Sequence, residues 1–249
     1  MSVMDAHADA DAHAQRDFAG VRWLGAADAT ALRRSACLRI VGAAARAIEA
    51  RGQFLIVLAG GNTPRGVYEL LRAASTDWSC WNVYFGDERC LPPDDAERNS
   101  RMAAGAWLEH VPIAPDQIHV IPAELGAEAA AQRYADTLRG VGDFDLVLLG
   151  LGEDGHTAGL FPGHDWSAAP DSADVLAVFD APKPPPQRVS LSAARLSRAR
   201  EVMFLVEGEA KREAVARWRA GDQLPAAAIR LAGGVDVLVE SVLLGPCAV

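Results

Sequence analysis

Apolar residues in this chain gather in short unbroken runs separated by longer segments where they recur every three or four positions. Phe54-Leu55-Ile56-Val57-Leu58 is the clearest run, too short for a helix and bounded by glycines, as expected of a strand covered on both faces. Before it, Leu32, Cys37, Leu38, Val41 and Ile48 fall at helical spacing between Asp28 or Thr30, as caps, and Gly52. The alternation continues with a helix after Pro64, strand Val83-Tyr84-Phe85, a helix near Met102 to Leu108, a short strand at Ile118 to Ile121 and a helix from Ala127 to Arg139. The apolar run Leu146 to Leu149 then meets a glycine-rich loop. Beyond a proline-rich loop (Pro182, Pro184, Pro185, Pro186) follow strands at Val189 to Leu191 and Val202 to Val206, a helix from Glu209 to Arg219 and a strand from Val235 to Val239. Strands and helices alternating end to end predict an α/β chain: a single-domain, three-layer Rossmann-like fold with a mostly parallel sheet. Residues 1–20 are expected to be a flexible tail, and 21–249 the domain.

Composition narrows the function. With 24 Lys+Arg against 33 Asp+Glu the net charge is −9, which argues against nucleic acid or an anionic membrane as partner. An anionic ligand must therefore find a local positive pocket. Cys37, Cys80, Cys90 and Cys247 form no C-x-x-C pair and have no histidine at zinc-finger spacing, so neither a disulfide framework nor structural zinc is expected. The first 17 residues lack a basic n-region and an apolar h-region, no stretch reads as membrane-spanning, and the expected location is cytoplasmic. His7 and His13 in that stretch read as solvated side chains rather than metal ligands.

Parallel sheets bind ligands beyond the carboxyl ends of their strands, and three such segments are unusual. Ala59-Gly60-Gly61-Asn62-Thr63-Pro64 joins a tight turn to a helix start, with Thr63 as the expected N-cap and Pro64 at the first helical position. Free amides and the positive helix end there suit a phosphate, although the same pattern serves an ordinary strand-to-helix turn. Asp87-Glu88-Arg89 follows the next strand and reads equally as a solvated loop or as a polar cluster aimed into a cleft. In Gly150-Leu151-Gly152-Glu153-Asp154-Gly155-His156-Thr157 a carboxylate and an imidazole leave a buried strand on a glycine-rich loop, with no helix to bury them, which is how a general base is presented. Gly150-x-Gly152-x-x-Gly155 matches a dinucleotide fingerprint, but Gly159, Pro162 and Gly163 interrupt the helix it would need, so no nicotinamide cofactor is expected. A covalent Thr157 is disfavoured, since a hydrolase triad would need a later histidine and only His164 lies downstream. Lys183 and Lys211 are the sole lysines, and with Arg188 they could neutralise a phosphate.

Taken in order, Gly60-Gly61-Asn62-Thr63-Pro64, Phe85-Gly86-Asp87-Glu88-Arg89 with Pro92-Pro93-Asp94 and Asn99, Asp154-Gly155-His156-Thr157-Ala158 with Leu160-Phe161-Pro162-Gly163, and Pro185-Pro186-Gln187-Arg188 resemble the 6-phosphogluconolactonases. The resemblance runs from about Arg33 to Val239. It implies a sugar-phosphate isomerase-like fold and metal-independent, cofactor-free hydrolysis of 6-phospho-D-glucono-1,5-lactone, the second step of the oxidative pentose phosphate pathway. Related glucosamine-6-phosphate deaminases continue their loop with Phe-Asn-Glu-Pro; here Gly159-Leu160-Phe161-Pro162 lacks that glutamate, which favours the lactonase over the deaminase or isomerase. A non-catalytic sugar-phosphate sensor is the other alternative, and the acidic, alanine-rich start does not read as a DNA-binding module. Serine often stands in the family where this chain has Gly159, a change expected to alter loop rigidity slightly. The expected roles are His156 as base toward water, Asp154 as its orienting partner, and Arg89 and Asp87 at the oxyanion, phosphate or hydroxyls. Gly60, Gly61, Asn62, Thr63, Arg188 and Lys211 are expected to hold the 6-phosphate.

Overall fold

The computed structural model describes residues 14–16 and 20–245. Strands β1 (Ala14–Arg16) and β2 (Val21–Ala26) lead into α1 (Ala29–Arg51), β3 (Phe54–Leu58) and α2 (Asn62–Leu71). Then come β4 (Trp81–Phe85), β5 (Asp87–Arg89), α3 (Asn99–Ala106), β6 (Ile118–His119), α4 (Ala127–Thr137) and β7 (Phe144–Gly150). β8 (Val175–Val178), β9 (Arg188–Leu191), α5 (Ala193–Ser197), β10 (Ala199–Val206), α6 (Arg212–Arg219) and β11 (Val235–Glu240) complete the chain. The main sheet has eight strands in the order β1-β2-β11-β10-β7-β3-β4-β6. Every neighbouring pair is parallel except β1 with β2. The mostly parallel three-layer α/β domain is as the alternation predicts.

Alternation across the pleat assigns the layers. Arg22, Asp236 and Met203 lie in register on β2, β11 and β10, and Arg22 and Arg39 of α1 both reach Asp236. Trp23, Val237 and Phe204 are the next residues on the same strands and point to the other face, where Trp218 of α6 packs edge-on to Trp23 at 5.3 Å and Phe204 at 4.8 Å. α1 and α6 therefore cover opposite faces. α1 starts as read, with Asp28 accepting from the Ala31 amide, and ends at Gly52 with φ +73°.

Several features depart from the sequence reading. β9 is not in the parallel sheet: it lies between β5 and β8 in a separate antiparallel sheet. β2 and β8 were not predicted, and the expected flexible tail (1–20) includes β1, which pairs with β2; the rest of that tail but Gly20, with His7 and His13, lies outside the described residues, as does Cys247. Cys37, Cys80 and Cys90 are free thiols. No helix among the described residues is long and apolar enough to cross a membrane.

Two buried tyrosines fix the strand ends that feed the loops of interest. Tyr68 of α2 donates to the Ala59 carbonyl at 2.9 Å and accepts from the Ala59 amide at 3.0 Å, one residue before Gly60. Tyr134 of α4 does the same to Phe85, donating at 3.2 Å and accepting at 2.9 Å, one residue before Gly86. Burial drives both phenols well above their ordinary range, so each stays a neutral donor and acceptor. Tyr68→Phe leaves the Ala59 amide and carbonyl unpaired in the core and is expected to lower stability by about 1–3 kcal/mol, read from the urea midpoint at unchanged slope.

Candidate active site

The strand order reverses between β7 and β3: from β3 the chain steps outward through β4 and β6, and from β7 it steps the other way through β10 and β11. Loops leaving the two central strands diverge there, and the gap between them is where a parallel sheet binds ligand. A cleft of about 390 Å³ opens at this edge.

Beyond β3, the N-cap of α2 is Gly61, with φ +103°, and not Thr63. Asn62, Thr63 and Pro64 form the first turn, where amides have no carbonyl a turn earlier, so the missing N–H of Pro64 loses nothing even at the third helical position. Gly60, Gly61, Asn62 and Thr63 all line the cleft, at the positive end of α2.

Beyond β4, Asp87-Glu88-Arg89 is strand β5 and no solvated loop. Pleating sends Asp87 and Arg89 toward the cleft and Glu88 away from it. Glu88, wholly buried, accepts from the Asn99 amide at 2.7 Å and the Ser100 amide at 2.8 Å, placing a carboxylate on the N-terminus of α3 with Arg98 3.5 Å away. The sequence reading gave Glu88 no role. Asp87 is also buried, and Asn99 donates to its carboxylate at 3.0 Å. Burial raises the Asp87 carboxyl above its ordinary value, against the pull of Arg89 and Arg188. The Arg89 Nε is buried with no hydrogen-bond partner, while its Nη1 donates to the Glu97 carbonyl.

Arg188 is more occupied than a free phosphate anchor would be. It donates to the carbonyls of Lys183 (3.2 Å), Pro184 (3.2 Å) and Pro185 (3.3 Å), holding the proline-rich loop, and turns Nη1 toward Asp87 at 4.0 Å. Its guanidinium lies 5.6 Å from the Phe161 ring, which in turn packs 4.9 Å from the His156 ring.

Beyond β7, residues 151–165 contain no helix, in keeping with rejection of the dinucleotide fingerprint. His156 faces the cleft, and its Nδ1 lies 2.5 Å from Asp154 Oδ1. Burial pushes the Asp154 carboxyl up, but the hydrogen bond and charge of His156 outweigh it and hold it below its ordinary value. An ionised carboxylate can only accept, so Nδ1 carries a proton, and in a neutral ring the lone pair falls to Nε2. Gly152 makes room for the pair: a Cβ there would stand 1.9 Å from Nδ1. Ala158, also on the cleft wall, adopts φ +47° inside a turn closed by Thr157 and Leu160, a strain of about 1 kcal/mol held by the surrounding packing. At Gly159 a Cβ would lie 2.8 Å from the Ser190 Cβ, so a serine here would have to displace β9; packing, more than loop rigidity, sets that residue.

Beyond β10, Lys211 closes a short turn before α6 and lines the cleft. Burial lowers its ammonium below the ordinary value, Glu153 opposes that, and neighbouring Lys183 adds to it. Thus His156, Asp87, Arg89, Arg188, Lys211 and the Gly60 to Thr63 segment all reach one cleft, and Asp154 stands behind His156 outside it. Among the described residues no three or more His, Cys, Asp or Glu side chains group as metal ligands would.

Residues 27–238 match the family described as glucosamine-6-phosphate isomerases/6-phosphogluconolactonase. A protein named 6-phosphogluconolactonase from Mycobacterium tuberculosis is 41% identical over 203 residues, spanning 76% of this chain and 82% of that one. Its namesake in Streptomyces coelicolor is 37% identical over 224 residues, 82% of this chain and 85% of the relative. Among solved structures, 6-phosphogluconolactonase from Thermotoga maritima superimposes with a TM-score of 0.79 at 26% identity, covering 88% of this chain and 98% of its own. The enzyme from Trypanosoma brucei gives 0.79 at 27%, covering 91% and 98%.

Because the folded state holds the Asp87 carboxyl above its ordinary value, it favours the protonated form. That contribution to stability is fully present below the unfolded value and is lost as pH rises through the raised one. Asp87→Asn, which does not titrate, should therefore gain in Tm relative to the wild type as pH rises from about 4 to about 7. Thermal melts across that range check the sign.

Proposed function

The chain belongs to the glucosamine-6-phosphate isomerase/6-phosphogluconolactonase family, and we propose that it hydrolyses 6-phospho-D-glucono-1,5-lactone to 6-phospho-D-gluconate with His156 as the base. One observation carries the assignment of the base: Nδ1 is engaged by Asp154, which leaves Nε2 with a free lone pair on a cleft-lining ring. Nothing in residues 157–163 supplies the carboxylate that ring-opening isomerases use, which supports the lactonase branch of the family.

Nε2 takes a proton from water as the water oxygen attacks C1, and Asp154 stabilises the imidazolium that forms. The carbonyl oxygen of the lactone gains a full negative charge in the tetrahedral intermediate. Arg89, with its unpartnered Nε, and the Nη1 of Arg188 supply positive field on that wall. Collapse of the intermediate breaks the bond from C1 to the ring oxygen, and the imidazolium returns its proton to that oxygen. The products are a carboxylic acid, which ionises to solvent, and a free hydroxyl. At the far end of the substrate, amides of the Gly60 to Thr63 segment and Lys211 hold the 6-phosphate, so binding energy spent away from the ester fixes its distance from His156. Arg188 contributes there less than Lys211, since most of its donors hold loop carbonyls.

His156→Ala is expected to lower kcat on freshly generated 6-phosphogluconolactone by roughly 10²-fold or more, followed as acid release above the spontaneous rate. A kcat near that of the wild type would remove His156 from the role. Lys211→Ala is expected to raise KM for the phosphorylated lactone with little effect on unphosphorylated gluconolactone; equal losses on both would contradict the anchor assignment.

A further inference from the structure

Asn99 opens α3, is only 4% exposed, and yet lines the cleft. Its Nδ2 donates to the Asp87 carbonyl at 2.9 Å and to Asp87 Oδ1 at 3.0 Å. A backbone carbonyl only accepts, so the amide nitrogen must be the atom facing Asp87 and Oδ1 must face the other way. That oxygen stands 1.9 Å from the position a Cβ on Gly60 would take, so the bare glycine lets the amide approach the cradle. No donor among the described residues reaches it. The side chain is held by its two bonds to Asp87, and the backbone beneath it by buried Glu88, which accepts from the Asn99 amide at 2.7 Å.

An acceptor fixed on a cleft wall without a donor calls for a ligand that brings one. A phosphate dianion does not, because its oxygens carry no proton to give. A sugar hydroxyl does. We propose that Asn99 is a specificity-determining residue whose Oδ1 accepts a hydrogen bond from one ring hydroxyl of the substrate, with Asp87 clamping the amide in that orientation. The inference rests on the lactonase reading above and assigns the recognition of the sugar ring to the β5–α3 wall. The phosphoryl group then sits toward the Asn62 and Thr63 end of the cradle, away from this acceptor.

The test compares kcat/KM of the wild type and Asn99→Ala on 6-phosphogluconolactone and on its 2-deoxy, 3-deoxy and 4-deoxy analogues, with Tm measured alongside. The wild type should discriminate against one analogue by roughly tenfold or more, the scale for losing a partner of a fixed polar group. Asn99→Ala should lose about that factor on the parent lactone and treat the parent and that analogue alike. An equal further loss on every lactone would mean that Asn99 only steadies Asp87, and would overturn the proposal. Should Asn99→Ala not fold, Asn99→Ser carries the same comparison, its hydroxyl being too short to span from α3 to both Asp87 and the ligand. Wild type that turns over the parent without discriminating any analogue overturns the role of Asn99 and leaves the lactonase reading standing. Wild type inactive on the parent removes both.

Discussion

Asp154 and His156 are two residues apart on a loop, a spacing at which side chains ordinarily diverge, and they meet at 2.5 Å because the chain doubles back on itself between them and Gly152. The Gly152 amide donates to the His156 carbonyl at 2.7 Å, closing that reversal, and Gly155 at its apex takes φ +88°. Both glycines are needed for different reasons: one admits a left-handed turn, the other vacates the volume in which the imidazole and carboxylate join. The carboxylate then sets the imidazole tautomer. In the mechanism proposed above, what the ring does to water follows from that single hydrogen bond.

In a chain with a net charge of −9, Arg89, Arg188 and Lys211 bring positive charge to one sheet edge, which the proposed anionic substrate requires. Arg89 and Arg188 are adjacent in register on β5 and β9, a like-charge pair that the buried Asp87 between them makes tolerable. Lys211 and Lys183 form a second positive group beside Glu153. These charges act on one ligand only if the loops carrying them keep their spacing, and the tyrosine hydroxyls on Ala59 and Phe85 tie the two cradle-bearing strands to helices on their flanks. The strain at Ala158 and the raised Asp87 carboxyl are local instabilities that such a rigid frame can carry.

The parts of this architecture visible in the sequence are those set by local rules. An unbroken run such as Phe54 to Leu58 can only be a strand between two layers, and Asp28 with Gly52 brackets α1 through capping alone. The small antiparallel sheet was hidden because its strands depend on partners distant in sequence: Asp87-Glu88-Arg89 has no apolar alternation, and it extends because Arg188 to Ser190 pairs with it. β2 was missed for a similar reason, its Arg22 being neutralised by Asp236 more than two hundred residues away. The helix start at Gly61 was displaced by two residues from the Thr63 cap because a glycine with positive φ makes the turn that a threonine could not. Motif and strand position named ten candidates, of which nine line one cleft and the tenth, Asp154, stands against His156. Asn99 and Glu88 could not be given roles, since what they do depends on α3 folding back against β5.

The central claim is that Asp154 holds His156 as the Nδ1–H tautomer with Nε2 bare toward the cleft. Nitrogen-15 NMR of protein labelled at histidine reads this directly at neutral pH. The account predicts a protonated Nδ1 and an unprotonated Nε2 for His156, with the tautomer balance disturbed in Asp154→Asn. An Nε2–H tautomer in the wild type, or a spectrum indifferent to loss of the Asp154 carboxylate, would contradict it.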